Sequence, residues 1–160
     1  PWGRHKRFMA QAGLYLFDAP QIRFGRDGNW YVNGGLTTNQ RIADLFAAHL
    51  TREADGTYAI RIGNERAVVE VEDTAFVVTS AVLTDAHGIE IALNDGTTES
   101  LAPDTLAVGR ENVMYCRVKG GKERVRFLRP AYYQLASYIT ETEPGRFSLC
   151  LGDRAYPIAI

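Results

Sequence analysis

An α+β fold with two related sub-domains is what this 160-residue sequence predicts, and three observations predict it. Apolar residues recur at helical spacing in only two stretches. Elsewhere short runs alternate apolar with polar residues, separated by the glycine, asparagine and aspartate that tight antiparallel turns require. Finally, a helix followed by a β-hairpin occurs twice in one register, with residues 42–71 lying over residues 131–160 at a constant offset of 89. Phe46 then meets Leu135, Leu50 meets Ile139, Tyr58 meets Phe147, Ile60 meets Leu149 and Ile62 meets Leu151. Only Ala47, Thr51, Gly56 and Gly63 are matched identically, so the shared register of apolar positions and turn glycines carries the argument for duplication. The expected halves are residues 1–79 and 80–160. Each pairs one principal helix with antiparallel strands, because two-residue turns join antiparallel neighbours only.

The elements follow in order. Arg4, His5, Lys6 and Arg7 make a short basic run without the apolar core of a secretory signal, which reads as a solvated arm. Ile22-Arg23-Phe24 and Trp30-Tyr31-Val32 flank Gly25-Arg26-Asp27-Gly28-Asn29, the turn chemistry of a hairpin, and Gly34-Gly35 breaks the second strand. Thr37-Thr38-Asn39-Gln40 offers a capping box in which a threonine oxygen takes a free helix N–H while Gln40 reaches back. Ile42, Leu45, Phe46 and Leu50 then predict a helix over 39–52, ended by Asp55-Gly56. Tyr58, Ile60 and Ile62 alternate up to Gly63-Asn64, and Ala67, Val69 and Val71 alternate after it, a hairpin with one face in the core. A β-branched strand over 74–83 is followed by turns at 85–88 and 94–96, with a strand over 89–93 between them. After an ambiguous stretch from Pro103, a hairpin of 113–118 and 124–128 crosses Lys119-Gly120-Gly121-Lys122. Pro130 suits the first turn of a second helix over 130–141 with Tyr132, Leu135 and Ile139 inward, and two strands close the sequence.

Composition excludes several classes. With 46% hydrophobic and 23% charged residues, the chain is an ordinary soluble globular one, long enough for one domain or two small ones sharing an interface. No apolar run approaches the roughly 18 to 20 residues that span a bilayer, so no membrane segment is expected. A net charge of −1 argues against a partner that is a nucleic-acid polymer. Cys116 and Cys150 make no disulfide framework, which fits a reducing, cytoplasmic compartment, and they read as small buried strand residues. No dinucleotide fingerprint, phosphate loop, zinc-protease helix, dithiol pair or nucleophile elbow is present. His5, His49 and His87 fall in an arm, a helix and a turn. No catalytic residue, metal or cofactor is therefore assigned.

Two charged clusters remain. Glu65, Glu70, Glu72 and Asp73 concentrate carboxylates; Glu70 and Glu72 share one strand face, the geometry of a paired general acid and base and equally of a solvated sheet face. Arg124 and Arg126 project from one side of their strand, with Arg117 on the hairpin partner and Arg129 just beyond. Guanidinium groups held on a sheet suit capture of phosphate or carboxylate, and Tyr115, Tyr132 and Tyr133 are placed to stack a base. Cross-strand salt bridging is the alternative.

Several motifs together resemble the bacterial family called domain of unknown function 1285: Arg26-Asp27-Gly28-Asn29-Trp30-Tyr31, Leu50-Thr51-Arg52-Glu53, Asp55-Gly56-Thr57-Tyr58, Val71-Glu72-Asp73-Thr74-Ala75-Phe76-Val77, Arg129-Pro130-Ala131-Tyr132-Tyr133 and Tyr156-Pro157-Ile158. The resemblance implies a duplicated α+β architecture, a C-terminal half like a pleckstrin-homology fold, and a small-molecule site at the interface of the halves. A nucleotide-type ligand and a signalling role come with it; catalysis does not. Two departures stand out. Ile62-Gly63-Asn64-Glu65-Arg66 replaces the family's Thr-Pro-x-Glu-Lys, and Leu14-Tyr15-Leu16-Phe17-Asp18-Ala19-Pro20 replaces a Trp- and Pro-rich segment. The expected function is a non-catalytic ligand-binding or sensory protein. The competitors are a protein-interaction module using a strand edge and a hydrolase using Glu70 or Glu72. For the site, Arg26, Asp27, Trp30, Glu65, Glu72 and Asp73 are expected near the inter-half surface, facing some of Arg117, Arg126, Arg129 and Tyr133. Alternatively Asp27 and Asp73 hold turns and Trp30 fills core.

Overall fold

The computed structural model describes residues 20–160, which fall into two compact units divided between Ala75 and Phe76. The basic run with His5, and residues 14–19 of the segment before the first hairpin, lie outside the described residues.

In the first unit, β1 (Ile22–Phe24), β2 (Trp30–Val32) and β3 (Gly35–Leu36) form a meander, followed by α1 (Gln40–Ala48) and a second meander of β4 (Leu50–Arg52), β5 (Tyr58–Ile62) and β6 (Glu65–Val71). They make one sheet in the order β3-β2-β1-β6-β5-β4. Gly63, at φ 62, supplies the left-handed step between β5 and β6, whose alternating residues face in and out as their sequence requires. Phe24, Trp30, Ile42, Phe46 and Ile60 form the core, with Trp30 4.6 Å from the Phe24 ring and 5.4 Å from Phe46.

The second unit begins with β7 (Val77–Leu83), β8 (Ile89–Leu93) and β9 (Thr98–Ser100), then a 3₁₀ turn at Pro103–Thr105, β10 (Ala107–Val108), a 3₁₀ turn at Arg110–Asn112, β11 (Met114–Val118) and β12 (Glu123–Phe127). After these come α2 (Arg129–Ala136), β13 (Ile139–Glu143), β14 (Arg146–Leu151) and β15 (Arg154–Pro157). One sheet runs β10-β11-β12-β7-β8-β9 and another β13-β14-β15. A single parallel bridge, Ala107 to Ala159, links them.

Both units repeat one register. Leu50–Ile60, Thr51–Ala59 and Arg52–Tyr58 pair across β4 and β5; Ile139–Leu149, Thr140–Ser148 and Glu141–Phe147 pair across β13 and β14. Each residue of the second set is the first plus 89. The same holds for β5–β6 against β14–β15, from Ala59–Val68 and Ser148–Pro157 to Ile62–Glu65 and Leu151–Arg154. Hydrogen bonds that tie helix to strand match as well: Arg61 N–H donates to the His49 carbonyl at 3.2 Å, and Cys150 N–H to the Tyr138 carbonyl at 2.8 Å. Upstream, β1 beside β2 is matched by β10 beside β11, with Phe24–Trp30 answered by Val108–Met114 and Arg23–Tyr31 by Ala107–Tyr115.

Several sequence expectations need correction. The first helix stops at Ala48 rather than 52: His49 has left helical geometry, at φ −110 and ψ 9, and Leu50–Arg52 is taken as a strand by β5. Its N-cap is Asn39, whose Oδ1 accepts from Arg41 and Ile42 N–H, while Gln40 donates to Asp44, so the threonine capping box does not form. The second helix likewise ends at Ala136, with Ala131 and Leu135 inward, and Ile139 opens β13. Asn33-Gly34 reverses the chain into β3 rather than only breaking a strand. The strand expected over 74–83 starts at Val77. Neither main sheet is purely antiparallel, since β1 runs parallel to β6 and β12 to β7. Those parallel neighbours are reached through whole intervening meanders, which two-residue turns do permit.

Candidate functional site

In the first unit the predicted residues separate into a charged surface and a core. Arg26 and Asp27 sit in the β1–β2 turn, and Glu72 follows β6, which the parallel β1–β6 pairing brings alongside. Glu72 accepts from Arg26 Nε at 2.5 Å and from Arg23 Nη1 at 2.8 Å. The Arg26 guanidinium, with Arg23 behind it, holds the Glu72 carboxyl below the usual carboxylate range. Asp27 closes its own turn through Asn29 N–H at 3.0 Å and accepts from the Tyr31 hydroxyl at 2.6 Å. Partial burial pushes the Asp27 carboxyl up, but the Tyr31 and Asn29 hydrogen bonds outweigh it and leave it lowered. Trp30 is 2% exposed and packed between Phe24 and Phe46, so it fills core rather than lining a site. Glu65 opens β6 opposite Ile62, with a buried Oε1 that has no hydrogen-bond partner. Asp73 is half-buried just beyond Glu72.

The second unit is different. Tyr115, Arg117, Arg124 and Arg126 lie on one face of the β11–β12 hairpin, because Tyr115 pairs with Arg126 and Arg117 with Arg124. Cys116, Val118, Val125 and Phe127 take the opposite, buried face. Arg117 is exposed; its Nη1 donates to the Gly121 carbonyl at 3.2 Å. Arg124 is exposed and stacks on Tyr115, 3.5 Å from the ring centre. Among the described residues neither has a carboxylate partner. Arg126 is half-buried. Arg129 opens α2, exposed, with Tyr133 one turn on and 65% exposed. Arg23 and Arg124 are the two residues that the expected site omitted. The alternation of β12, with the turn over 119–122 fixing register, is the signal that places Arg124 directly opposite Arg117.

Other chemistry is weakly represented. No group of three histidine, cysteine or carboxylate side chains suited to a metal occurs among the described residues. The Cys116 thiol is pushed up to about 12 by burial, with Glu99 adding to it, so it is protonated at neutral pH. No helix among the described residues is long and apolar enough to cross a membrane.

The fold therefore defines a class: an α+β protein of two units, each carrying a strand meander, a helix and a second three-strand meander. Two solved structures share it. A DUF1285 family protein from Silicibacter pomeroyi DSS-3 matches with a TM-score of 0.68 at 18% identity, over 95% of this chain and 94% of that one. A DUF1285 family protein from Shewanella baltica OS155 matches with a TM-score of 0.58 at 20% identity, over 74% of this chain and 91% of that one. The chain thus resembles this family in its motifs and shares its fold. No family model matches the sequence, and no curated protein does.

Proposed function

We propose that this is a non-catalytic ligand-binding protein with a sensory, signalling role in the cytoplasm, and that the arginine face of the β11–β12 hairpin takes an anionic, nucleotide-type ligand. The observation that carries this reading is Arg117 directly opposite Arg124. Like charges in directly opposed sheet positions are destabilising, and an anion bridging both guanidinium groups removes that repulsion while accepting their hydrogen bonds. Tyr115 beneath Arg124 holds one guanidinium flat, and Arg129 and Tyr133 add a third cation and an exposed ring in the same unit. The hydrolase reading is weaker, because Glu72 is clasped by two arginines that keep it ionised, which removes it as a general acid. The two unpaired cysteines support a reducing compartment.

Duplication is part of the same proposal. It rests on the shared pairing register and hydrogen bonds of β4–β6 and β13–β15, which a chance helix-hairpin would not reproduce residue by residue. The likeness of the second unit to a pleckstrin-homology fold rests on six strands, β7 to β12, followed by α2.

Calorimetric titration with pyrophosphate and a nucleoside diphosphate tests the ligand. Wild type is expected to bind and to gain thermal stability by mass action, about 2.7 kcal/mol when ligand exceeds Kd roughly a hundredfold. The exposed double variant Arg117→Ala/Arg124→Ala is expected to keep its fold and lose the response. Equal responses from the two proteins would remove this face as the site.

A further inference from the structure

The second unit holds a cavity of about 500 Å³ bounded by β10, β11, α2 and the β13–β15 meander, a size within the range of small-molecule pockets. Its floor and walls include Met114, Ile139, Phe147 and Ile158. The first unit shows what the same backbone does when that space is filled. Phe24 and Trp30 occupy the strand positions that correspond to Val108 and Met114, and both rings are buried against Phe46, where the second unit has Leu135. The second unit carries a ring on its helix instead, Tyr132 in place of Ala43, and that ring stands half-buried in the cavity wall. The seam is also looser. Three residue pairs join β1 to β6, whereas one bridge joins the corresponding strands of the second unit. Three interior rings of the first unit are thus absent and the seam beside them is shorter where this cavity lies.

We infer that the cavity binds a small aromatic cation, its ring lying between Met114 and Ile158 and its ammonium group on Glu141. The aromatic part follows from the first unit, whose own indole and phenyl rings fill the corresponding place. The charge follows from the rim: among the described residues Glu141 is the one ionic side chain lining the cavity, and one of its oxygens already accepts the Gly145 N–H at 2.8 Å, which fixes the carboxylate and leaves the other oxygen to a ligand. Asn112, also on the rim, adds an amide from a loop in which it and Glu111 both hold left-handed backbone, at φ 60 and 59. An anionic ligand is disfavoured here by the same carboxylate, so this site is separate in chemistry from the arginine face.

Tryptamine is the probe, with indole-3-acetate as the matched anion, in a protein carrying labelled methionine and isoleucine methyl groups followed by NMR. Tryptamine is expected to shift the Met114, Ile139 and Ile158 methyls and to bind about fivefold or more tightly than indole-3-acetate, the scale of one partly exposed charge contact. Met114→Trp, which restores the ring that the first unit has, is expected to weaken tryptamine binding about tenfold or more as the cavity fills. Glu141→Gln lies at the exposed rim, leaves the fold intact, and is expected to erase the preference for the cation while the ring still binds. Absence of shifts at the three methyls in wild type overturns the inference, as does equal affinity for the two probes. Should Met114→Trp fail to fold, the wild-type shift map and Glu141→Gln decide the matter by themselves.

Discussion

In the first unit, α1 and its meander close over Phe24, Trp30 and Phe46; in the second, the same pairing register surrounds Val108, Met114 and Leu135 and leaves about 500 Å³ open. The charged surfaces differ in the same direction. Glu53 of the first unit is gripped by Arg66 at 2.5 Å and Arg61 at 2.9 Å, whereas the corresponding positions of the second are Thr142, Ala155 and Cys150. Arg23, Arg26, Arg61 and Arg66 are paired with carboxylates in one unit, whereas Arg117 and Arg124 on β11–β12 of the other have no carboxylate partner among the described residues. Backbone register and side-chain filling are thus separable: turns and strand pairing hold the scaffold, while interior volume and surface charge vary on it. One unit has a closed aromatic core and doubly clasped carboxylates; the other has an open cavity and an exposed pair of arginines on one hairpin face.

The sharpest way to break this comparison is to empty the filled core. Trp30→Ala removes a side chain that is 2% exposed and touches two other rings, and is expected to cost about 3 to 5 kcal/mol in urea unfolding. Met114→Ala at the corresponding place borders existing empty space, and is expected to cost about 2 kcal/mol, the low end for such a truncation. Equal losses would mean that the two interiors are packed alike.

How far the sequence foretold this depends on which force sets each feature. Alternation and turn chemistry are local, so the hairpins at Gly63-Asn64 and Lys119-Gly120-Gly121-Lys122 were legible at residue resolution. Both helices were expected too long for one reason: Leu50 and Ile139 continue a helical apolar pattern, yet each is captured by the next strand along the chain, Leu50 by Ile60 and Ile139 by Leu149. Parallel pairing of β1 with β6 was illegible, since it joins residues far apart through a sheet no local signal announces. In the site, charge types were readable and pairings were not. Arg26 and Glu72 were both singled out, but only their 2.5 Å contact shows that they satisfy each other. The cavity has no sequence signature of its own; it appears once Met114 is seen to stand where the first unit has Trp30.

An intermediate effect tests whether a second shared device matters equally. Gly25 and Gly109 occupy corresponding places, each beside the tyrosine of its hairpin: an added Cβ would lie 3.1 Å from a Tyr31 ring carbon and 2.8 Å from a Tyr115 ring carbon. Each tyrosine also carries a stacked guanidinium, Arg23 at 4.0 Å and Arg124 at 3.5 Å. Gly109→Ala is expected to displace the Tyr115 ring, loosen the Arg124 stack and cost about 1 to 3 kcal/mol. Gly25→Ala meets Asp27 Oδ1 at 2.5 Å as well, the oxygen that accepts the Asn29 N–H and closes the turn, so it disturbs a hydrogen bond besides the ring and is expected to cost more. Thermal unfolding of both variants orders them; a larger loss for Gly109→Ala would mean that the Asp27 hydrogen bond adds nothing to the ring contact.

The smallest expected effect concerns pH and separates the units by charge alone. Hydrogen bonds from Arg66 and then Arg61 hold the Glu53 carboxyl below its ordinary value of 4.5. A carboxyl depressed in the folded state binds protons less readily there than in the unfolded chain, so its stabilising contribution is complete above 4.5 and is lost as the pH falls through the lower folded value. The partners Arg61 and Arg66 are 52% and 43% exposed, so solvent screens the pairs and the contribution is a modest one. Glu53→Gln should therefore lower the urea midpoint slightly at neutral pH, and the gap from wild type should narrow steadily below pH 4.5. At the corresponding place the second unit has Thr142, so Thr142→Val is expected to leave the pH dependence of the midpoint unchanged. A Glu53→Gln difference that persists undiminished into acid would show that the side chain acts through packing, and the contrast between an ion-paired unit and an open one would then rest on the cavity alone.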